Sequence, residues 1–335
     1  MKTVLWVLRQ SLEQGPEGPT SKVASIRYRA ILPAAGLVRH GWDSRFAVVE
    51  STHDGNASPL DLRADALVLN KSFNPFNEIV VRRAMQAGTR VLFDISDNHF
   101  DSPRFAAHYR ALAMQCDAIT VPTASMAQVV MEHTGRDAIV IADPVERSRM
   151  PPGALPDGRA PLRVLWYGHA TNLAALVKHS EDLAAAGQRA ALQLKLLCSE
   201  GPRTDAACEM LRLHGIDTTF IPWSPSAMDE ALAWCHLVII PADVNDTRGK
   251  VKSANRLVEA LWAGRYVVAH PLEAYREFSD CASICERLSE GIDWALRNPA
   301  DVASRIVRAQ EAIAERFSVE AVARHWDAAL QGAAP

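Results

Sequence analysis

Residues 236–270 read HLVIIPADVNDTRGKVKSANRLVEALWAGRYVVAH: an apolar run, a cation-rich polar loop, a helical pattern and a second apolar run. At 3.6 residues per turn, Ala254, Leu257, Val258 and Leu261 fall on one side of the helical stretch, and Lys252, Arg256 and Glu259 share the other. HLVIIP and RYVVAH are short and β-branched, so the order is strand, loop, helix, strand. Arg248, Lys250, Lys252 and Arg256 then gather at a helix start behind a strand's carboxyl end, where free N–H groups and the macrodipole favour an anion. A phosphate or diphosphate suits that place, and Gly249 gives the loop room to close over it. Glu259, one turn beyond Arg256, is placed to accept hydrogen bonds from neutral hydroxyls such as those of a ribose. The alternative is a solvated helix face with an Arg256–Glu259 ion pair at i, i+3, contributing about 0.3 kcal/mol.

The same alternation runs along the chain. TVLWVL, RFAVVE, DALVLN, RVLFDI, DAITVP and AIVIAD are strand candidates in the first half, and LRVLWYG, LQLKLLC, DTTFIP, HLVIIP and RYVVAH in the second, with helical patterns between most of them. Repeated βαβ units and parallel sheets follow. A chain of 335 residues exceeds what one core usually organises. VERSRMPPGALPDGRAPLR, with Pro and Gly among charges, marks a linker near residues 145–161. The sequence therefore predicts one α/β domain over residues 1–150 and a second over 160–318. A last helix over 319–331 has Ser318 as N-cap, Glu320 in its first turn, and a stripe of Val319, Val322, Trp326 and Leu330 that needs a surface.

Composition bounds the function. With 48% hydrophobic and 22% charged residues the chain is globular, and a formal net charge of −3 gives no global attraction to nucleic acid. The opening MKTVLWVLRQSLEQ has too short an apolar run for a signal peptide and reads as a buried strand; no run reaches membrane-spanning length, so a cytoplasmic protein is expected. The six cysteines include no CxxC pair, and Cys281 and Cys285, one turn apart, have no histidine to complete a metal set, so reduced structural thiols are expected. Neither half opens with GxGxxG, and GxxxxGK and GxSxG are missing, which argues against nicotinamide, P-loop and nucleophile-elbow chemistry.

Two open parallel sheets bind ligands at the carboxyl ends of their strands, so the loops there matter. LWYGHATN places Gly168 and His169 on a turn, with Thr171 or Asn172 as helix cap. FDISDNHFDSPRF gathers Asp94, Asp97, His99 and Asp101, and histidine is the residue type whose unperturbed charge change falls near neutral pH. No Ca-loop spacing accompanies these carboxylates, so no metal is expected, and Asp97 and Asn98 are also plausible caps. In QSLEQGPEGPTSKVASIRYRAILPAAGLVRHGWD, Gly15 and Gly18 suit a mobile loop, and Ser25, Arg27 and Arg29 stand near the next helix start. Arg29 is there either to bind an acidic group or as a surface cation.

The run FIPWSPSAMDEALAWCHLVIIPADVNDTRGKVKSANRLVEALWAGRYVVAHP resembles the donor half of GT-B glycosyltransferases, especially the group-one, family-four type of nucleotide-sugar enzyme. In that family a strand ending in Pro leads through a loop to K-x-x-N-R/K-x-x-E-A-x-A-x-G and another strand; Lys252, Asn255, Arg256, Glu259, Ala260 and Gly264 fall on it. ERFSVEAVARHWDAAL is similar to the family's ending. The resemblance implies two Rossmann-like domains facing a central cleft, with the last helix crossing back to the first. It implies transfer of a sugar from a nucleotide diphosphate sugar to a glycan or other hydroxyl acceptor, without metal or further cofactor. The setting it implies is bacterial surface polysaccharide synthesis, in the cytoplasm or peripheral to the inner membrane, with transient contact to the membrane surface. Glu259 would hold the ribose and Lys252 or Arg256 the diphosphate, with Arg248, Lys250, Ser253 and Asn255 around them. Trp223 would border the base and His169 approach the diphosphate. Asp97 and His99 would stand beside the acceptor and the anomeric carbon, as general base in an inverting enzyme or as orienting groups in a retaining one. Arg29 and Asp94 would lie on the acceptor side. One departure is Val251, where many members carry a second Glu. Two alternatives remain: a sugar-nucleotide isomerase of the 2-epimerase type, and a non-catalytic nucleotide-sugar-binding protein.

Overall fold

The computed structural model describes residues 1–15, 18–49, 61–71, 76–188, 190–244 and 251–333. Arg248, Gly249 and Lys250 lie outside the described residues. The chain divides into two compact units. The first comprises Met1–Glu146, Val251–Ser253 and Glu315–Pro335; the second comprises Arg147–Lys250 and Ala254–Ala314.

The first unit is built on a six-stranded parallel sheet. Its strands are β1 (Lys2–Leu8), β4 (Trp42–Val48), β5 (Ala66–Asn70), β6 (Arg90–Asp94), β7 (Ala118–Val121) and β8 (Ile139–Val140). They stand in the order β4-β1-β5-β6-β7-β8. Val4–Leu8 and Ala66–Leu69 are buried, as strands covered on both faces require. The direction of winding reverses between β1 and β5, which is where a doubly wound sheet opens a crevice at its carboxyl edge.

One face of this sheet carries a core of Leu67, Leu69, Val81, Phe93, Tyr109 and Met126, and Val251 packs into it. The other face carries Val4, Trp6, Leu37 and Ala66 together with Val322, Trp326 and Leu330 of the final helix Val319–Gln331. The stripe of that helix thus finds its surface in the first unit: Trp326 meets Trp6 edge-on at 5.2 Å, and Asp327 accepts a 2.8 Å bond from the Trp42 indole. Ser318 caps the helix by accepting from Ala321 N at 3.2 Å. Between β1 and β4 lie a small antiparallel pair, β2 (Glu13–Gly15) and β3 (Gly18–Thr20), and a helical run with a wide π turn at Arg27–Ile31.

The second unit repeats the plan. Its strands are β9 (Leu162–Tyr167), β10 (Leu192–Cys198), β11 (Asp217–Pro222), β12 (Leu237–Ile240), β13 (Tyr266–Ala269) and β14 (Ser283–Ile284), all parallel, in the order β11-β10-β9-β12-β13-β14. Here the winding reverses between β9 and β12. The helix Asn255–Trp262 buries Leu257, Val258 and Leu261 and ends at Gly264, whose φ is +70°. A β-carbon at Gly264 would stand 2.1 Å from the Pro151 carbonyl oxygen, so both the turn and the close approach demand glycine. All six cysteines are free thiols, and burial pushes those of Cys116 and Cys235 up to about 12. No helix of the described residues is long and apolar enough to cross a membrane.

Candidate functional site

In the second unit, β9 delivers Gly168 and His169 to the carboxyl edge beside the reversal point. The Arg256 side chain lies over this turn: a β-carbon on Gly168 would be 3.4 Å from Arg256 Nη1. Tyr167, buried at the end of β9, donates its hydroxyl to the Arg256 carbonyl oxygen at 2.5 Å and so ties the first turn of the helix to the strand. Burial, followed by the charge of Glu259, raises the Tyr167 hydroxyl far above its ordinary range, which keeps it a donor. Arg256 Nη1 is buried and has no hydrogen-bond partner among the described residues. A guanidinium N–H withdrawn from water without an acceptor is costly, and among the described residues no side chain caps the helix it stands on. An anion at this point would accept from Nη1.

Glu259 does not lie on a solvated helix face. It is 2% exposed, and Arg147 Nη1 stands 3.6 Å from its Oε2, so the surface pair with Arg256 is replaced by a buried pair. Arg147 also donates to Asp229 at 2.7 Å and gives its carbonyl to the Trp262 indole. A carboxylate is buried only when paired, and Arg147 supplies that partner. The turn at His169 also differs from the expectation. It is capped by His169 itself, whose Nδ1 accepts from Thr171 N at 3.3 Å and lies 2.9 Å from the Thr171 hydroxyl, rather than by the side chain of Thr171 or Asn172. Trp223 follows β11, half-buried, two strands from β9 at the same edge. The helix proper begins at Asn255, so Lys252 and Ser253 precede it and belong with the first unit.

In the first unit, the residues expected on the acceptor side divide. Arg29 and Asp94, 1% and 0% exposed, are held by each other: Nη2 donates to Oδ1 at 2.6 Å, and Nη1 donates to Asp143 at 3.1 Å. Asn70 and Thr120 also donate to Asp94, at 3.0 and 2.8 Å. Arg29 is therefore neither a surface cation nor open to a ligand, and the acidic groups it binds are Asp94 and Asp143. The wide turn at Arg27–Ile31 carries this side chain into the sheet edge, where it also lies 5.2 Å over the Trp326 ring.

Asp97 and His99 follow the end of β6. Lys71, directly after β5, places its ammonium 2.6 Å from Asp97 Oδ2. Lys71 is the one non-glycine described residue with positive φ, +50°, a conformation that costs about 1 kcal/mol and turns the side chain toward Asp97. Burial acts to raise the Asp97 carboxyl; Lys71, His99 and Lys252 outweigh it and hold the group below its ordinary value. Asp97 is thus a carboxylate at neutral pH and accepts rather than donates. His99 packs edge-on against Tyr109 and Phe105 at 5.2 and 5.7 Å. Asn98 takes the turn-capping role, accepting from Phe100 N at 3.0 Å. Val251, at the position of the family's second Glu, is buried in the apolar core of the first unit. Lys71 and Arg147 were not singled out in the sequence; the signal for Lys71 was its place immediately beyond the strand DALVLN.

No family model and no curated protein matches the sequence. Solved structures do. The chain is similar to HepE of Anabaena, crystallised with UDP and glucose, with a TM-score of 0.73 and 12% identity over 99% of this chain and 100% of that one. It is similar to a glycosyltransferase of Rickettsia africae with a TM-score of 0.72 and 11% identity over 98% of both chains. WaaG, a glycosyltransferase involved in lipopolysaccharide biosynthesis, superposes with a TM-score of 0.62 and 13% identity over 98% of this chain and 100% of that one. Two doubly wound parallel sheets and these likenesses identify the chain as having the GT-B glycosyltransferase fold.

Proposed function

We propose that this chain transfers a sugar from a nucleotide diphosphate sugar to an acceptor hydroxyl, the second unit holding the donor and the first the acceptor. The observation that carries the proposal is the buried Arg256 Nη1, partnerless among the described residues, lying over the Gly168 turn at the reversal point of a parallel sheet. HepE, with the same fold, was crystallised with UDP and glucose, which favours a nucleotide sugar as the anion.

In the reaction the bond from the anomeric carbon to the diphosphate oxygen breaks and one from the acceptor oxygen forms. The departing diphosphate gains charge as it leaves, and Arg256 with the open helix end stabilises that charge more in the transition state than before it. Protein cations then stand in for a metal, and full activity in a chelator is expected. The buried carboxylate of Glu259, oriented by Arg147, accepts from ribose hydroxyls. The acceptor hydroxyl hydrogen-bonds to Asp97, and its proton passes to Asp97 or His99. A surface-glycan setting belongs to the same proposal and rests on the resemblance alone.

The test is transfer or donor hydrolysis from UDP-, GDP-, ADP- and TDP-sugars. Asp97→Asn and His99→Ala should lower the rate at least 100-fold while nucleotide binding is retained. Undiminished turnover in both variants would move the chemistry elsewhere, and epimerised sugar formed without acceptor would assign an isomerase.

A further inference from the structure

A second group of polar side chains stands at the carboxyl edge of the second sheet, beyond the residues to which the site above assigns a role. β12 neighbours β9 and β13 neighbours β12, so strand spacing puts His270, the residue after β13, about 10 Å along the edge from Gly168. His270 is 2% exposed. Its Nδ1 lies 3.1 Å from the backbone N of Ala242 and 2.9 Å from the Ala242 carbonyl oxygen. A neutral ring cannot serve both. Accepting from the N–H puts the proton on Nε2, and donating to the carbonyl leaves Nε2 bare. In either form Nε2 is buried with no hydrogen-bond partner among the described residues.

Against this ring packs His179, centroids 4.2 Å apart and planes at 74°. The groups facing His179 are His270, Lys178, Asp182 and Asp243, and Lys178 reaches Asp243 at 3.6 Å. Burial, then His270 and Lys178, lowers the proton affinity of His179 in the unliganded protein; the two aspartates oppose this. Buried polar atoms are normally satisfied, and here two adjacent imidazoles at a ligand-binding edge leave one nitrogen that is not.

We propose that His179 and His270 are further donor-binding residues that contact the phosphoryl oxygens of the nucleotide diphosphate sugar; this rests on the second unit being the donor domain. A phosphoryl oxygen accepts from a protonated Nε2 of His270 and draws a proton onto His179. A neutral hydroxyl would fill the hydrogen bond but would not take up the proton.

The experiment is calorimetric binding of UDP-glucose, GDP-mannose and ADP-glucose at pH 8, 7 and 6, where a diphosphate diester does not titrate. Wild-type affinity for the tightest of these should rise as pH falls, by up to tenfold per unit for one linked proton. His179→Asn, at a half-buried position, should flatten that dependence and weaken binding at pH 6 about tenfold, with binding of the matching nucleoside unchanged. His270→Gln should weaken the nucleotide sugar in the same selective way, with the melting temperature read alongside to show that the protein is folded. pH-independent wild-type binding, an equal loss of nucleoside and nucleotide sugar in His179→Asn, or a pH dependence removed by His169→Ala instead would overturn the proposal. Binding of no nucleotide sugar at any pH would overturn the proposed function together with it.

Discussion

At the scale of single residues, two ion pairs organise the candidate sites. Lys71 holds Asp97 at 2.6 Å from a left-handed backbone position, and Arg147 holds buried Glu259 at 3.6 Å. The first pair has a consequence in pH. Asp97 is held below its ordinary value chiefly by Lys71 acting against burial, so removing the ammonium makes the carboxylate easier to protonate. Lys71→Met is expected to move the acid limb of the donor-turnover profile to higher pH, and Lys71→Arg to restore it. A profile unmoved in Lys71→Met would mean that Asp97 is not the group titrating. The sequence could offer Asp97, His99, Arg256 and Glu259 because their residue types sit at strand ends and on one helix. It could not offer Arg147 or the burial of Arg29. Those depend on which side chains meet across more than 60 residues of chain, and no local spacing encodes that.

At the scale of elements, periodicity carried most of the information. Eleven apolar runs read as strands in the sequence are strands in the structure; β14 (Ser283–Ile284) and the short β2 and β3 pair lack an apolar run like the AIVIAD that carries the equally brief β8. The wide turn at Arg27–Ile31 has no signature either, since it differs from an ordinary helix by a single backbone bond pattern. Two elements invite stability tests. In the turn that ends the helix Asn255–Trp262, Gly264→Ala adds a β-carbon where φ is +70° and a carbonyl stands 2.1 Å away, so a loss of about 2–3 kcal/mol in denaturant unfolding is expected. A loss under about 0.5 kcal/mol would show that the turn relaxes freely. In the final helix Trp326 is fully buried in the core of the first unit, and Trp326→Ala should cost about 3–5 kcal/mol by the same measurement. A surface-like value would mean that the helix is dispensable to that core.

At the scale of the whole molecule, alternating strands and helices made two doubly wound sheets legible, and doubly wound sheets name their own ligand edges. Each unit gathers its unusual polar groups at its reversal edge: Lys71, Asp97 and His99 in the first, Gly168 and Arg256 in the second. The division of the chain was less legible. The Val251–Ser253 segment lies deep in the second half of the sequence yet groups with the first unit, because Val251 is apolar and packs among Phe93 and its neighbours. The Thr123 hydroxyl donates to its carbonyl oxygen at 3.1 Å and helps fix it there.

The central claim is that Arg256 binds the diphosphate of a nucleotide sugar while Glu259 binds its ribose. It is tested most directly by calorimetry on wild type, Arg256→Ala and Glu259→Gln, each titrated with a nucleoside diphosphate and with the matching nucleoside. The account predicts that Arg256→Ala loses about 10- to 100-fold in affinity for the diphosphate and almost nothing for the nucleoside, the loss of one charge-assisted hydrogen bond. Glu259→Gln should lose about tenfold for both ligands. Equal losses on both ligands in Arg256→Ala, or unaltered affinities in both variants, would contradict it.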